Sequence, residues 1–480
     1  MNPSATLRAG PRAWAAIAAG RLAGAVSRRL RRGGGTAVAG LVAQQIDPRL
    51  AERLAAQLGH GSVAVTGTNG KTTTARMLAA IAREAGLQPL ANPSGSNLMR
   101  GVATALLDET TALGRVRQAA GRLGVFEVDE ATVPEAASAS GGLRPRAIVF
   151  TNLFRDQLDR YGEVDTVAAL WRAALAGLPE TATVVLNADD PAVASLAETT
   201  RARVLTYGID DARAAGSAPG GEHASDYRFC LSCGAELDYQ ALFYGHLGHW
   251  RCPDCGRARP APNVSARCVE ATDDDGGSRL AVDTPAGELR VVLPLAGLYN
   301  VENALAATAA ALALELPLAA VERALAGFQP AFGRQERFEL AGRYVQVLLG
   351  KNPTGLNQVL RVSAGDGKGA RHLLLFLNDG IADGRDISWI WDADYELLAQ
   401  RAASAVVSGT RAEELALRLK YADFAVAPEV VRDAAVALDA ALARTPPGAT
   451  LFVVPTYTAM LEVRELLAKR GRRGRYWEER

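Results

Sequence analysis

The segment VAVTGTNGKTTT (63–74) constrains the fold of this chain more than any other. It joins an apolar, strand-like run to a stretch with helical character from about Lys71 to Glu84. Backbone N–H groups at such a helix start can surround a phosphate, and the helix dipole favours the bound negative charge. The segment therefore predicts a nucleotide-binding loop in which Lys71 contacts the β- and γ-phosphates and Thr72 holds Mg²⁺. The predicted ATP-binding residues are Gly67, Thr68, Asn69, Gly70, Lys71, Thr72 and Thr73.

The loop departs from the full phosphate-loop motif at one position. Val65 stands where the motif has its first glycine. A glycine-rich turn without a ligand is therefore the alternative interpretation.

The order of strand-like and helical stretches predicts an α/β protein. Apolar runs at 123–130, 147–152 and 182–190 are separated by enough residues for crossover helices, which is typical of a parallel, doubly wound sheet. The predicted units are an N-terminal helical segment (1–55) packing on the central domain, a central ATP-binding domain (56–333) and a C-terminal Rossmann-like α/β domain (334–480).

Four of the five cysteines form a C-x₂-C-x₁₈-C-x₂-C pattern, which is the spacing of a zinc ribbon. A glycine follows each pair and supplies the positive φ that a knuckle needs. Because all four ligands would be thiolates, the predicted zinc is structural, with no open position for catalysis. The pattern predicts an insert at about 222–285, whose zinc ligands are Cys230, Cys233, Cys252 and Cys255.

Charge argues against a nucleic-acid partner. The chain has 53 basic residues (Lys plus Arg) against 52 acidic ones, so no global attraction to polynucleotide is expected. The insert's aromatic residues are therefore expected to form its small core. A zinc-ribbon ATPase that binds nucleic acid stays the alternative.

The first 46 residues hold seven arginines and no acid. Trp14, Ile17, Leu22 and Val26 recur at near-helical spacing. Such a helix can pack on its own domain, or it can lie on an anionic membrane surface. No apolar run reaches the length of a membrane-spanning helix.

The motif GTNGKTTT is similar to the ATP loop of the Mur ligase and folylpolyglutamate synthase superfamily. Five further segments resemble that family and occur in its order: FEVDE (126–130), TNLFRDQLDRYG (151–162), NADDP (187–191), LAGLYNVENALAA (295–307) and FGRQE (332–336). The resemblance implies a Mur ligase-like central domain and an amide bond made through an acyl phosphate.

The resemblance also implies roles for individual residues. Lys71 and Arg334 would neutralise charge on the transferring phosphoryl group, and Arg334 would contact ATP at the domain junction. The alternative for Arg334 is a surface ion pair. Asn300 and Asn303, about one helical turn apart, would reach the adenine or ribose, or else cap their helix.

The implied magnesium ligands are Thr72, Glu127 and Glu130, since Mg²⁺ prefers oxygen. One of the two glutamates is expected to be only solvated. Two departures from the family put a second metal site in doubt: Gln157 replaces the family's histidine, and Arg172 lies where many Mur ligases carry a carbamylated lysine.

Three C-terminal segments resemble the MurT family, the Mur ligase-like subunits of lipid II isoglutaminyl synthase: KNPTGLNQVL (351–360), LNDGIADGRDISWIWDADYE (377–396) and PTYTAM (455–460). The resemblance implies ATP-dependent amidation of the D-glutamate α-carboxylate in the lipid II stem peptide to D-isoglutamine. An amino-acid-adding Mur or folate-type ligase is the alternative. The implied location is the cytoplasm, with the inner face of the plasma membrane as the narrower expectation.

The resemblance further implies a partner, the glutaminase subunit GatD, which supplies ammonia. Outside the four-cysteine pattern, the chain offers no Cys–His nucleophilic pair of its own. MurT-like subunits are thought to supply an aspartate that orients the partner's catalytic histidine. The acidic loop offers Asp379, Asp383 and Asp386, of which we predict Asp379 or Asp383; turn stabilisation is the alternative.

Overall fold

A computed structural model describes eight stretches of the chain: residues 10–29, 37–93, 95–156, 164–215, 226–272, 276–329, 334–365 and 369–470. In these stretches, no helix has the length and apolar character needed to cross a bilayer. The predicted α/β class is confirmed, and the strands form two large sheets and one hairpin.

Three helices open the described chain: α1 (Pro11–Arg29), α2 (Val38–Ile46) and α3 (Leu50–Ala55). A Cβ on Gly20 of α1 would lie 2.7 Å from Ala39 O, so α1 and α2 pack backbone to backbone. Ile17 of α1 is buried in the same apolar cluster as Phe126 of the central domain. The helices therefore pack on the central domain.

Glu52 fixes α3 to the loop around Gly141. Its carboxylate accepts hydrogen bonds from Arg49 Nε (2.8 Å) and Gly141 N (2.9 Å), and Arg144 lies 3.1 Å away. The Arg49 hydrogen bond is the largest influence, and these contacts together lower the pKa of Glu52 to about 2.

The central domain contains a nine-stranded sheet in the order β11-β10-β9-β6-β5-β4-β1-β3-β2. From β2 to β9 all neighbours are parallel, and β9, β10 and β11 are antiparallel. The strands are β1 (Ser62–Thr66), β2 (Gln88–Leu90), β3 (Arg122–Glu127), β4 (Ala147–Phe150), β5 (Thr183–Asn187), β6 (Arg203–Ile209), β9 (Val264–Ala271), β10 (Ser278–Thr284) and β11 (Gly287–Leu293).

Helices cover both faces of the parallel part of this sheet, so β1, β3, β4 and β5 are almost wholly buried. The antiparallel strands β10 and β11 instead alternate buried and more exposed residues. The helices are α4 (Lys71–Glu84), α5 (Met99–Asp108), α6 (Val133–Ala137), α7 (Val164–Ala176), α8 (Pro191–Ser195), α9 (Leu298–Ala313) and α10 (Leu318–Ala326).

The cysteine-bearing insert contains the antiparallel hairpin β7 (Asp238–Tyr244) and β8 (Leu247–Arg251). Its extent differs from the predicted 222–285. β9 and β10 lie inside that range but pair in the nine-stranded sheet.

The C-terminal domain contains a six-stranded sheet in the order β12-β13-β17-β14-β15-β16, parallel except for β12 and β13. Its strands are β12 (Arg334–Leu340), β13 (Arg343–Leu348), β14 (Arg371–Phe376), β15 (Ala402–Ser408), β16 (Glu429–Val430) and β17 (Thr450–Val454). Its helices are α11 (Pro353–Ala364), α12 (Glu396–Ala399), α13 (Ala412–Tyr421), α14 (Ala434–Arg444) and α15 (Tyr457–Arg470).

Candidate functional site

The phosphate loop lies between the end of β1 and the start of α4, and its glycines leave no room for a side chain. Gly67 and Gly70 have φ of 126° and 88°. A Cβ on Gly67 would lie 2.1 Å from Thr151 Oγ1, and one on Gly70 would lie 2.0 Å from Asn303 Oδ1. The loop is therefore held between the end of β4 and helix α9.

The segment after β4 holds the backbone of the loop. Thr151 Oγ1 donates to Asn69 O (2.7 Å), and Asn69 N donates to Asn152 Oδ1 (2.8 Å). Thr68 N donates to Asn152 O (2.9 Å), and the Thr68 hydroxyl donates to Phe154 O (3.0 Å). These bonds fix the conformation of the loop that leads into the start of α4.

Lys71 is 6% exposed and points into the loop. Its ammonium donates to Glu130 Oε1 (2.8 Å) and to the carbonyls of Gly67 (2.5 Å) and Thr68 (3.2 Å). Burial opposes the charge, but the carboxylates of Glu130 and Glu127 outweigh it and raise the pKa of Lys71. The lysine is thus a fixed cation at the position where phosphate charge would accumulate.

Thr72 and Glu127 form an oxygen pair beside that cation. The Thr72 hydroxyl donates to Glu127 Oε2 (2.7 Å), and Glu127 is 8% exposed. A hydroxyl and a carboxylate are suitable ligands for Mg²⁺, so this donor set fits the ion. The expectation that one glutamate is only solvated is wrong, because Glu130 is 6% exposed and pairs with Lys71. Gln157 lies outside the described residues.

Asn300 and Asn303 lie in the first turns of α9, and Asn303 touches the loop. Thr74 Oγ1 donates to Asn303 Oδ1 (3.3 Å). Asn300 Nδ2 donates to Ala296 O (2.7 Å), so its amide group holds the segment before the helix. Thr73 is buried in the first turn of α4.

The C-terminal domain reaches the loop through residues that sequence reasoning missed. Lys351 Nζ pairs with Asp156 Oδ2 at 2.5 Å. Asn352 caps α11 by accepting from Gly355 N (2.8 Å), and its Nδ2 donates to Asn69 Oδ1 (3.0 Å). The available signal was that Lys351 is one of only five lysines.

Arg334 is the first residue of β12, at the junction of the two domains. Its side chain lies outside what the structure describes. Its neighbour Gln335 forms two hydrogen bonds to the segment before α9. Gln335 Nε2 donates to Ala296 O (2.8 Å), and Ala296 N donates to Gln335 Oε1 (3.1 Å).

The four cysteine Sγ atoms of the insert lie within 4.8 Å of one another. The separations are 3.6 Å for Cys230–Cys255 and 3.4 Å for Cys233–Cys252, against about 3.8 Å in a Zn–S tetrahedron with bonds of about 2.3 Å. The Cys255 backbone N–H has the largest influence on the Cys252 thiol, whose pKa is lowered to about 7. The cluster can therefore hold a thiolate-binding metal ion.

The three acids of the C-terminal loop have different surroundings. Asp383 is 4% exposed and accepts from Thr458 N (2.8 Å) and Thr458 Oγ1 (2.6 Å) at the start of α15. Asp379 accepts from Thr410 Oγ1 (2.8 Å) and lies 3.4 Å from Arg411. Asp386 is exposed, and hydrogen bonds from the Ser388 hydroxyl and backbone N–H lower its pKa.

Comparison with known proteins gives matches along nearly the whole chain. Residues 65–246 match the Mur ligase middle domain, and residues 349–460 match the MurT ligase C-terminal domain. The subunit MurT of lipid II isoglutaminyl synthase (glutamine-hydrolyzing) from Staphylococcus aureus (strain COL) is 31% identical, covering 95% of this chain and 98% of that protein. The subunit of the same name from Streptococcus pneumoniae (strain ATCC BAA-255 / R6) is 33% identical, covering 95% and 96%.

Solved structures share the fold at lower identity. A pseudomurein peptide ligase type C from Methanothermus fervidus has a TM-score of 0.62 at 24% identity, covering 85% of this chain and 78% of that chain. MurF ligase from Thermotoga maritima in complex with ADP has a TM-score of 0.61 at 13% identity, covering 89% and 84%.

Proposed function

The chain belongs to the MurT family of Mur ligase-like subunits, and from this premise we propose that it performs ATP-dependent amidation of the D-glutamate α-carboxylate in lipid II. The product is D-isoglutamine, and the reaction belongs to peptidoglycan biosynthesis. The proposal rests on the buried cluster that Lys71, Thr72 and Glu127 form at the phosphate loop.

The proposed reaction has two steps. A carboxylate oxygen of the substrate attacks the γ-phosphorus, the bond to the bridging oxygen breaks, and ADP leaves. Ammonia then attacks the acyl carbon of the acyl phosphate, inorganic phosphate leaves, and a proton passes to solvent. Binding both reactants at one site supplies orientation, and fixed charges stabilise the transferring phosphoryl group.

The residues of the loop have separate tasks in this proposal. Lys71 exchanges Glu130 for phosphate oxygens when nucleotide binds, and Gly70 and Lys71 present backbone N–H groups at the start of α4. Thr72 and Glu127 would hold Mg²⁺, and the ion would supply Lewis-acid stabilisation of charge on the phosphate oxygens.

Further cations are assigned to the junction between the domains. Lys351 lies 2.5 Å from Asp156 and influences the buried Glu130 electrostatically. We assign it to the acyl phosphate, together with Arg334 at the start of β12. Asn300 and Asn303 are assigned to the nucleoside, because Asn303 already contacts the loop.

Ammonia is proposed to come from a GatD-type glutaminase. Among the three candidate acids, Asp386 is the best suited to orient a partner's histidine, because its side chain is exposed and accepts its hydrogen bond from Ser388 in the same turn. Buried Asp383 holds the start of α15, and Asp379 is paired with Arg411, so both have internal tasks.

We also propose that a structural zinc binds the four cysteines.

Because lipid II is a membrane lipid, a surface of the chain is expected to contact the membrane, and helix α1 suits this contact. Its buried face consists of small residues and Ile17, while Trp14, Leu22 and Val26 are 47%, 68% and 48% exposed. Its last turn carries Arg28 and Arg29, and α1 and α2 contain no acid. An exposed apolar strip with arginines suits an anionic lipid surface, so we propose that α1 rests on the inner face of the plasma membrane.

An amidation assay with ATP, ammonia and lipid II tests the proposal. Lys71→Ala is expected to lower the rate on the order of a hundredfold or more, because the transferring phosphoryl group loses its cation. Lys420→Ala, at an exposed lysine of α13, is the matched control and should be active. Mass spectrometry identifies the product: OH replaced by NH₂ supports amidation, whereas the mass of an added amino acid contradicts it.

A further inference from the structure

The four-cysteine insert is seated on the central domain close to the phosphate loop. In β8, Gly248 N donates to Asp189 O (3.0 Å), and Trp250 Nε1 donates to Ala188 O (3.0 Å). At the hairpin turn, a Cβ on Gly245 would lie 2.7 Å from Phe154. Since Phe154 O accepts from the Thr68 hydroxyl, the hairpin contacts a residue that holds the loop.

A continuous series of hydrogen bonds leads from the hairpin to the loop. The Tyr244 hydroxyl donates to Glu302 Oε2 (2.8 Å), which also accepts from Asn187 Nδ2 (3.1 Å). Asn187 Nδ2 donates to Thr151 O (3.0 Å), and Thr151 Oγ1 donates to Asn69 O (2.7 Å). Every residue between the insert and Asn69 is buried.

Glu302 is the centre of this series, and it lies in α9 between Asn300 and Asn303. It is 3% exposed. Burial, and next the charge of Asp189, raise the pKa of its carboxyl well above the usual range. Removing a donor from a buried acceptor is costly, so the position of this carboxyl depends on Tyr244 and Asn187.

We propose that the four-cysteine insert is a positioning element for the nucleotide site, acting through the Tyr244 hydroxyl on Glu302 and from there through Asn187 and Thr151 on the phosphate loop. The inference rests on the proposed ATP-binding function. Tyr244 and Glu302 touch no reactant, so they are positioning residues. A metal held by the four cysteines would order the two knuckles. Because Cys252 directly follows β8, the hairpin and the Tyr244 hydroxyl would be held in place with them.

Paired tyrosine variants test this. Tyr244→Phe removes only the hydroxyl and should weaken ATP binding, measured by calorimetry, by about fivefold, the value of one hydrogen bond. The KM for ATP should rise while kcat with saturating ATP changes little. Tyr239→Phe is the control, because the Tyr239 hydroxyl donates to Tyr227 O and His246 O within the insert. Equal ATP affinity in wild type and Tyr244→Phe, or an equal loss in Tyr239→Phe, would overturn the inference.

Glu302 and the metal give independent readouts. Glu302→Gln keeps a neutral acceptor and should retain ATP affinity, whereas Glu302→Leu should lose it as Tyr244→Phe does. Removing the metal with a chelator, checked by elemental analysis, should also weaken ATP binding; unchanged affinity in metal-free protein contradicts the proposal. If wild type itself binds no ATP, the proposed function fails as well, so the two failures are distinguishable.

Discussion

Glu127 and Glu130 are three residues apart but have different partners, and this separates their expected roles. Glu127 accepts from the Thr72 hydroxyl, whereas Glu130 pairs with the Lys71 ammonium. We expect Glu127→Gln to raise the Mg²⁺ concentration needed for half-maximal activity on the order of tenfold or more, because a ligand loses its charge. Glu130→Gln should lower the rate without that change. A titration of activity with Mg²⁺ in both variants tests this difference. An equal rise in the Mg²⁺ requirement of both variants would contradict the assignment of Glu127 as the magnesium ligand.

The buried carboxylate of Glu52 makes stability depend on pH in a definite direction. Its pKa is about 2 in the folded chain against an ordinary 4.5. A lowered pKa adds stability above pH 4.5, which is lost as pH falls toward 2. The full pKa shift corresponds to about 3 kcal/mol, and solvent at the exposed side chains of Arg49 and Arg144 weakens the ion pairs. We therefore expect Glu52→Gln to lower the free energy of unfolding by about 2 kcal/mol at neutral pH, with the difference shrinking in acid. Denaturant unfolding across this range measures it, with Glu180→Gln, at an exposed residue, as control. A pH-independent difference would contradict the ion-pair explanation.

At the scale of elements, the helix α1 proposal can be tested with vesicles. We expect the chain to sediment with vesicles of equal parts phosphatidylcholine and phosphatidylglycerol, and not with phosphatidylcholine alone. Replacing Arg28 or Arg29 by Gln should weaken binding about fivefold each, and the double variant Trp14→Ser, Leu22→Ser should abolish it.

Leu417→Ser, at an exposed leucine of α13, is the control for the vesicle experiment. If the wild-type chain does not bind anionic vesicles, or binds both kinds of vesicle equally, the proposed contact of α1 with the membrane is refuted. It would leave the amidation proposal standing, because a water-soluble substrate analogue needs no vesicle.

Elements whose signals are local could be predicted from the sequence. α4 begins at Lys71 and ends at Glu84, as predicted, because the loop glycines and the apolar periodicity lie in one short segment. The four cysteines converge because each pair is a local knuckle. The segment Ser388–Asp392 forms a short 3₁₀ helix, although the alternation of Trp389 and Trp391 in it is typical of a strand. Their alternation does not continue into a longer strand pattern.

Contacts between distant segments could not be predicted in the same way. Lys351 meets Asp156 across 195 positions of the chain, and Tyr244 meets Glu302 across 58. No sequence spacing indicates either pair, because only the packing of the sheets brings the two residues together. The insert's end was misplaced for a related reason: a strand edge that pairs with β6 looks the same in sequence as one that pairs within the insert.

At the scale of the whole molecule, the expected partner gives a separate test. With GatD present, Asp386→Asn should lower glutamine-driven amidation on the order of a thousandfold, because the partner's histidine loses its orienting carboxylate. Ammonia-driven amidation should be unchanged. Asp379→Asn is the matched control. Loss of glutamine use in Asp379→Asn alone would transfer the role to Asp379, and glutamine use by the isolated chain would refute the need for a second subunit.

The two lobes meet beside the phosphate loop, where Asn352 reaches Asn69 and Lys351 reaches Asp156. Swinging the lobes apart would withdraw an amide and an ammonium from the same small volume in a single movement. ADP and inorganic phosphate would then lose protein contacts at the same moment. We therefore expect product release and the separation of the two lobes to follow one time course.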